Sequence, residues 1–205
     1  MASSPRFRNR QNARIELPEG RVLFESRSVA ITAIVVAHDA SSNSFHALVG
    51  KRGPAVDQGG LWCLVCGYLD WDESLADAVR REVFEEAAVD LAALEAAGET
   101  QVSSQPMFLQ SDPSAHRQNV TGRFLVTLPR KVPASNANAE PGEVEAIEWL
   151  PVERDAIAKR AWAFHHDAIL LELADWYAAE AQRGALDAKS TERFRQDYVA
   201  RLAGK

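Results

Sequence analysis

The 205-residue sequence has few cysteines, no excess of positive charge and no long hydrophobic run. Two cysteines are too few for a disulfide framework, so a reducing compartment, the cytoplasm, is expected. The net charge of −6 gives no general attraction to nucleic acid or to an anionic membrane. No apolar run reaches the roughly 18 residues that a membrane-spanning helix needs, and the polar, basic N-terminus lacks a signal-peptide core. We therefore expect no membrane association.

Hydrophobic residues make up 46% of the chain and charged residues 25%, the ordinary composition of a globular domain. Alternating and β-branched patterns predict strands over 28–37, 45–52, 61–69, about 100–110, 119–128 and 144–150, with a polar loop over 129–142. A continuous helical stretch is predicted over 156–183 and a last helix over 189–203. This order indicates an α/β fold, with a mixed sheet between helices.

The clearest helix is predicted over 75–88. Ser74 can cap its first turn, and Asp77, three residues later, completes a variant of the capping box. Leu75, Val79 and Val83 recur at four-residue steps, which is the spacing of a helix face that packs on a core.

This segment also concentrates carboxylates, at Glu73, Glu82, Glu85 and Glu86. Offsets of three and four residues place the last three on one side of the helix. A solvated acidic face is the structural explanation for such a group. A divalent-cation site is the functional one, because Mg²⁺ prefers carboxylate oxygens and bridges to substrate phosphates.

The wider pattern from Gly67 to Val89 resembles the Nudix box, G-x5-E-x7-R-E-U-x-E-E-x-G-U, where U is apolar. Eight of the nine defined positions match, and the ninth, a glycine in the family, is Ala88 here. A glycine would allow a left-handed turn at the end of the helix, whereas alanine pays about 1–2 kcal/mol there. We therefore expect the helix to run on or to end differently.

The resemblance implies a Nudix-type α/β/α sandwich around a mixed sheet. It covers residues 28–175, which leaves an N-terminal arm over 1–27, expected to be flexible, and a C-terminal helical extension over 176–205, expected to pack on the domain. Similarity to the family also implies a homodimer as the expected assembly.

The same resemblance assigns roles to individual residues. It implies that Mg²⁺, with Mn²⁺ as an alternative, is held by Glu82, Glu85, Glu86 and the carbonyl of Cys66. Glu73 and Arg81 would support these ligands. The catalytic base is left open between Glu143, which lies six residues before Trp149, and Glu82.

The implied function is hydrolysis of the diphosphate linkage in a small nucleotide derivative, of the ADP-ribose, NADH or nucleoside-diphosphate-sugar type. Hydrolysis of nucleoside triphosphates or of capped or triphosphate RNA ends is the alternative within enzymes. A catalytically silent nucleotide-sensing module is the alternative outside them. The acidic net charge and the absence of a basic patch argue against long nucleic acid as a partner.

Several further residues have two interpretations. For the pair Cys63 and Cys66 and the pair His165 and His166, structural packing is favoured over metal or redox chemistry. Anion binding and simple exposure are left equal for two groups, residues 116–118 and residues 51–52. Ser104, Gln105 and Pro106 give only a weak substrate signal. Stacking on a nucleotide base is conceivable for Trp62, where packing is favoured, and for Trp71, where neither interpretation is preferred.

Overall fold

A computed structural model describes residues 12–113 and 118–203. Its main sheet has six strands in the order β6-β7-β3-β5-β4-β8, and a separate two-stranded sheet pairs β1 with β2. The strands are β1 (Ala13–Glu16), β2 (Val22–Glu25), β3 (Val29–Asp39), β4 (Ser44–Arg52), β5 (Trp62–Tyr68), β6 (Phe108–Gln110), β7 (Val120–Leu128) and β8 (Val144–Pro151). The helices are α1 (Leu75–Ala87), α2 (Leu91–Ala96), α3 (Arg154–Ala158), α4 (His166–Gln182) and α5 (Ser190–Ala203).

The central strand β3 explains the layered architecture. Its side chains alternate between two cores, because successive residues of a strand point to opposite faces. Ile31, Ala33 and Val35 pack in the core beneath α1 and α2. Ile34 and Val36 pack in the other core, against α3, α4 and α5. The α/β/α sandwich around a mixed sheet is therefore confirmed.

The sheet opens at its centre, and this opening positions the helix that carries the carboxylates. Strands β3 and β4 form a hairpin that is paired only near its turn, from Val36 opposite Ala47 to Asp39 opposite Ser44. Farther from the turn, β5 lies between them and pairs with both. Strand β5 leads through a short loop into α1, so the start of α1 lies over the middle of the sheet.

The predicted continuous helix over 156–183 is wrong, because residues 159–165 separate α3 from α4. The Trp62 N–H donates to the Ala161 carbonyl at 2.9 Å, and the Ala163 N–H donates to the Trp62 carbonyl at 2.8 Å. Residues 159–165 thus satisfy the backbone N–H and carbonyl of Trp62, at the end of β5 where β3 no longer pairs with it. Phe164 and His165 then take left-handed backbone angles, which turn the chain into α4.

The N-terminal segment contains structure that the sequence patterns did not indicate. Residues 13–16 pair with residues 22–25 in an antiparallel hairpin. All eight strand residues are exposed, and Phe24 has 63% of its surface accessible. Residues 1–11 lie outside the described part, and the flexibility expected of the arm stays a prediction.

Helix α5 carries Phe194 and Tyr198 into the core beneath α4.

The domain boundaries drawn from the sequence stay predictions. Within the described residues, no helix combines the length and apolar character needed to cross a membrane.

Candidate active site

Helix α1 begins as its sequence predicts. The Ser74 hydroxyl accepts from the Asp77 N–H at 3.2 Å, and the Asp77 carboxylate accepts from the Ser74 N–H at 3.3 Å. This reciprocal pair is the predicted capping box. Val79 and Val83 are fully buried against the sheet. The register of the helix is thereby fixed, and with it the direction of every carboxylate that follows.

Arg81 links the loop before α1 to the carboxylates on it. Its Nε and Nη2 donate to Glu73 at 3.0 and 2.7 Å, and Nη2 also donates to the Tyr68 carbonyl at 2.9 Å. Its Nη1 donates to Glu82 at 2.8 Å and to Glu85 at 3.0 Å. These contacts lower the pKa of the Glu73 carboxyl, first through its hydrogen bond with Arg81. The guanidinium therefore holds loop and helix in one arrangement.

Gly67 allows Glu82 to approach the strand. A Cβ atom on residue 67 would lie 1.8 Å from the Glu82 Oε1 atom, so any residue other than glycine would force the Glu82 carboxylate to move. The Glu82 side chain is therefore packed directly on the backbone of β5, where only 7% of the residue remains exposed. Burial raises the pKa of the Glu82 carboxyl, although its hydrogen bond with Arg81 opposes the shift.

Glu86 is the most deeply buried carboxylate of the group, with 3% of its surface exposed. Its Oε2 atom has no hydrogen-bond partner among the residues that the structure describes. Burial raises the pKa of this carboxyl well above its usual range, and the neighbouring charges of Glu82 and Glu143 add to the shift. A buried acceptor without a donor costs about 1–3 kcal/mol, and more when it is charged. A proton or a bound cation at this position would therefore stabilise the Glu86 carboxylate.

Glu143 approaches the same group from another part of the chain. It lies in the loop before β8, and its carbonyl accepts from the Gly53 N–H at 2.7 Å. A Cβ atom on Gly53 would lie 1.8 Å from the Gly142 carbonyl oxygen, so only glycine permits this contact. The Glu143 charge acts on both Glu82 and Glu86, which brings the predicted residues of box and loop together.

The end of α1 departs from expectation. The helix stops at Ala87, and Ala88 takes the left-handed conformation at φ 54° and ψ 28°, as the family's glycine would. Its N–H donates to the Phe84 carbonyl at 2.9 Å. The expected extension or different ending is therefore wrong. The loop over 129–143 compensates in part, because the Ser135 N–H donates to the Ala87 carbonyl at 2.9 Å and the Asn138 amide donates to the Phe84 carbonyl at 3.1 Å.

The carboxylates are suitable ligands for a divalent cation, but their side chains are not arranged as a complete coordination site. Within residues 12–113 and 118–203, no three acidic, histidine or cysteine side chains already converge on one metal position. Glu82 and Glu85 are drawn to Arg81, whereas Glu86 retains an unpartnered buried oxygen. Such an oxygen, next to a second buried carboxylate, is the donor type that Mg²⁺ and Mn²⁺ prefer.

The cationic candidates at the end of β4 differ from each other. Lys51 is paired with Glu145 at 3.0 Å. Arg52 donates to the Asp57 carbonyl at 2.7 Å and lies over the Phe164 ring at 4.8 Å. Within the described residues, Arg52 has no carboxylate partner at ion-pair distance. Its neighbour Gly53 binds the Glu143 loop through the backbone, and the charges of Arg52 and Glu143 act in opposite directions on the pKa of the Cys63 thiol.

Packing explains most of the other residues singled out by the sequence. Cys63 is buried, and both cysteines are free thiols. The His166 Nδ1 atom accepts from the Leu64 N–H at 3.1 Å inside the protein, next to the β5 residues that pair with β3. The Trp62 ring packs under Arg160 at 5.1 Å. His116 and Arg117 lie outside the described residues.

Sequence reasoning missed Gly53 and the loop residues that cap α1. Gly53 follows Lys51 and Arg52, and nothing in a single sequence distinguishes it from an ordinary turn glycine. Ser135 and Asn138 lie in the polar loop whose contact with α1 depends on the folded topology. Their polar character was the only signal available.

The mixed sheet between two helical layers, with an acidic helix over its centre, defines an α/β/α sandwich with a polar site beside α1. Among solved structures it is similar to a MutT/nudix family protein of Enterococcus faecalis, with a TM-score of 0.58, 19% identity, and coverage of 77% of this chain and 63% of that one. It is also similar to the NUDIX domain of Shewanella oneidensis NrtR, solved with ADP ribose, with a TM-score of 0.55, 18% identity, and coverage of 74% and 89%.

A third similar structure is a bifunctional NMN adenylyltransferase/ADP ribose pyrophosphatase of Francisella tularensis with AMP and manganese. The TM-score is 0.52 and the identity 23%, over 73% of this chain and 42% of that one. No curated protein matches the chain significantly. The NUDIX domain model, however, matches residues 27–172. The chain therefore belongs to the Nudix family, and the prediction of a Nudix-type hydrolase is confirmed at that level.

Proposed function

We propose that the protein is a Mg²⁺-dependent hydrolase that cleaves the diphosphate linkage of a nucleoside diphosphate derivative. The observation that carries the proposal is the buried, unpartnered Glu86 oxygen beside Glu82, on the helix that bears the family's box. A solvated acidic face does not account for it, because a solvated carboxylate would be exposed and hydrated.

Glu82, Glu85, Glu86 and the Cys66 carbonyl would hold the cation, with Mn²⁺ as an alternative to Mg²⁺. When bound, the cation lowers the pKa of water and withdraws charge from phosphate oxygens. Glu73 and Arg81 hold the loop and two of the carboxylates in place. The protein thus supplies positioning and electrostatics, the two contributions that dominate phosphoryl chemistry.

The reaction is attack of water on one phosphorus of the diphosphate, with departure of the other phosphate. A carboxylate must accept the proton of that water. Glu143 is our first candidate, because its side chain takes no part in the hydrogen bonds of Arg81 and accepts none from any other described residue. Glu82 is the second candidate, since its raised pKa makes it a better proton acceptor.

Two observations support a diphosphate-linked nucleotide as substrate. Among the described residues, Arg52 offers a guanidinium without a carboxylate partner, next to the Gly53 that binds the Glu143 loop, and guanidinium groups bind phosphate bidentately. The similar Shewanella domain was solved with ADP ribose, and the similar Francisella protein is named an ADP ribose pyrophosphatase. The cytoplasmic location and the homodimer stay predictions from the sequence.

The test is a substrate panel with a matched pair of variants. The purified protein is incubated with ADP-ribose, NADH, a UDP-sugar, ATP and a capped dinucleotide, with and without Mg²⁺. Glu86→Gln removes the buried carboxylate, and Glu172→Gln changes an exposed carboxylate on α4 as control. We expect release of a nucleoside monophosphate from a diphosphate-linked compound. This activity should be lost without metal and in Glu86→Gln, and retained in Glu172→Gln. Turnover of ATP or of the cap alone would transfer the assignment to the triphosphate alternative. Metal-independent binding without turnover would make the protein a sensor.

A further inference from the structure

Arg52 is held in place by the loop that follows β4. Its N–H donates to the Leu61 carbonyl at 2.9 Å, and its carbonyl accepts from the Gly60 N–H at 2.9 Å. In the side chain, the Nε atom donates to the Asp57 carbonyl at 2.7 Å. A guanidinium carries several N–H donors, so this bond among the described residues leaves most of them available for an anion.

The Phe164 ring lies against this guanidinium. The Arg52 Cζ atom is 4.8 Å from the centre of the ring. A second neighbour of the ring is His166, whose ring centre lies 5.5 Å away in an edge-to-face arrangement. His166 is itself fixed, because its Nδ1 atom accepts from the Leu64 N–H at 3.1 Å. Both Arg52 and Phe164 are half-buried, and a cation is attracted more strongly to an aromatic ring there than at a fully exposed site.

The backbone at Phe164 is strained, and contacts with other segments hold it in that conformation. Phe164 and His165 have φ 59° and 57°, in the left-handed region that residues other than glycine rarely enter. The Phe164 N–H donates to the side-chain oxygen of Gln58, which itself has φ 55°, at 3.1 Å. The preceding Ala163 N–H donates to the Trp62 carbonyl at 2.8 Å. Such residues persist only where the surrounding structure determines them, and they concentrate at functional sites.

The Arg52 charge acts on the same two thiols as the charges of the carboxylates. The pKa of the Cys63 thiol is lowered, first by a hydrogen bond with Cys66 and also by the Arg52 charge, and the Glu143 charge opposes the shift. The pKa of the Cys66 thiol is raised well above its usual range, first by its hydrogen bond with Cys63 and by burial. The Glu86 charge adds to that rise, whereas the Arg52 charge opposes it. This shared neighbourhood places the guanidinium near the proposed diphosphate site.

We propose that Phe164 is a positioning residue that holds the Arg52 guanidinium ready to bind a phosphate of the substrate. The proposal rests on the function proposed above and deepens it, because it names the residue that fixes the phosphate contact. A long side chain loses rotamer freedom when it binds an anion. The ring and the Asp57 carbonyl restrict the Arg52 side chain before binding, so less freedom is lost on contact with phosphate and the affinity is higher.

The first test measures binding of methylenediphosphonate, a diphosphate mimic that cannot be hydrolysed, to the full-length protein with Mg²⁺, by phosphorus NMR. Phe164→Leu removes the aromatic face and should weaken binding about three- to tenfold. Phe164→Tyr keeps the ring and should bind as wild type does. The control Phe108→Leu removes a similar ring that lies 5.6 Å from Arg123 on the edge strand β6, and should leave the affinity unchanged. Equal affinity of wild type and Phe164→Leu, or no binding by wild type, would overturn the proposal.

A double-mutant cycle shows whether Phe164 acts through Arg52. Arg52→Met removes the guanidinium but keeps an apolar stem, and should weaken binding about tenfold or more. In that background Phe164→Leu should have no further effect, because the ring has no guanidinium to hold. If the two fold-changes multiply instead, Phe164 contributes by packing alone and the positioning role is wrong.

The substrate panel separates this inference from the proposed reaction. With the active enzyme, Phe164→Leu should raise the KM of the hydrolysed diphosphate compound by about the same three- to tenfold. Hydrolysis with an unchanged KM in this variant would remove the positioning role and leave the reaction intact. Binding of methylenediphosphonate that depends on Phe164 and Arg52, without hydrolysis of any compound in the panel, would keep the positioning role and overturn the reaction.

Discussion

Replacing Ala88 with glycine is expected to stabilise the protein. Ala88 has φ 54° and ψ 28°, in the left-handed region that L-residues other than glycine rarely enter. Its N–H is bonded to the Phe84 carbonyl at 2.9 Å, so the conformation is required by the helix end. The substitution removes a Cβ atom from a strained position and leaves that hydrogen bond in place.

The expected gain follows from two opposing contributions. Relief of the left-handed strain contributes about 1–2 kcal/mol. The greater freedom of glycine in the unfolded chain costs about 0.4–1 kcal/mol. With the middle of each range, the net increase in the free energy of unfolding is about 0.8 kcal/mol, or roughly 2–3 °C in Tm for a chain of this size.

Thermal unfolding by circular dichroism, with Ala87→Gly as matched control, checks this prediction. Ala87 is the last residue of α1 and is fully buried, so glycine there loses helix propensity and core packing. The control should lower the free energy of unfolding by roughly 1–2 kcal/mol. A fall in Tm for Ala88→Gly would refute the reasoning, because it would show that the left-handed turn carries no strain in this context.

Three further substitutions test the site. Burial raises the pKa of Glu86 in the folded state, so the protonated carboxyl stabilises the fold and this stabilisation is lost as pH rises. Without metal, Glu86→Gln should therefore have a higher Tm than wild type near about pH 8. Calorimetry should show this difference in Tm shrink toward about pH 5. Gly67→Ala should reduce kcat/KM by about 10–100-fold, because its Cβ would displace Glu82. The control Gly50→Ala, whose nearest contact is a flexible side chain at 3.2 Å, should change kcat/KM little. Equal reductions in kcat/KM for both variants would contradict this account. Arg81→Lys should reduce kcat by a similar 10–100-fold without unfolding the protein, as circular dichroism would verify, and full activity would show that the bidentate contact with Glu73 is dispensable.

Local patterns predicted the parts of the fold that local physics controls. The start of α1 followed from Ser74 and Asp77, whose capping hydrogen bonds lie within one turn. Strand β3 followed from an unbroken β-branched run, which reflects burial on both faces of the sheet. Helix geometry alone placed Glu82 and Glu86 on one side of α1, but it left a solvated face and a cation site open, and the resemblance to the Nudix box decided between them.

The failures arise where distant parts of the chain meet. The break at 159–165 exists because backbone groups of Trp62 bond to residues 161 and 163, a contact that no helical periodicity reveals. The unpartnered oxygen of Glu86 depends on how α1 packs over β5, and the role of Gly53 depends on a loop about 90 residues later in the chain. The ending of α1 was mispredicted because strain at Ala88 was weighed without the loop that caps the helix.

The most direct test of the central claim is Mn²⁺ binding, measured by the electron paramagnetic resonance signal of the free ion. Wild type, Glu86→Gln and the control Glu172→Gln are titrated at neutral pH without substrate. If the buried carboxylates hold the cation, wild type and control should bind Mn²⁺ with the same affinity, and Glu86→Gln should bind it about 10–100-fold more weakly. Equal binding by all three proteins would contradict the assignment of the metal to Glu86.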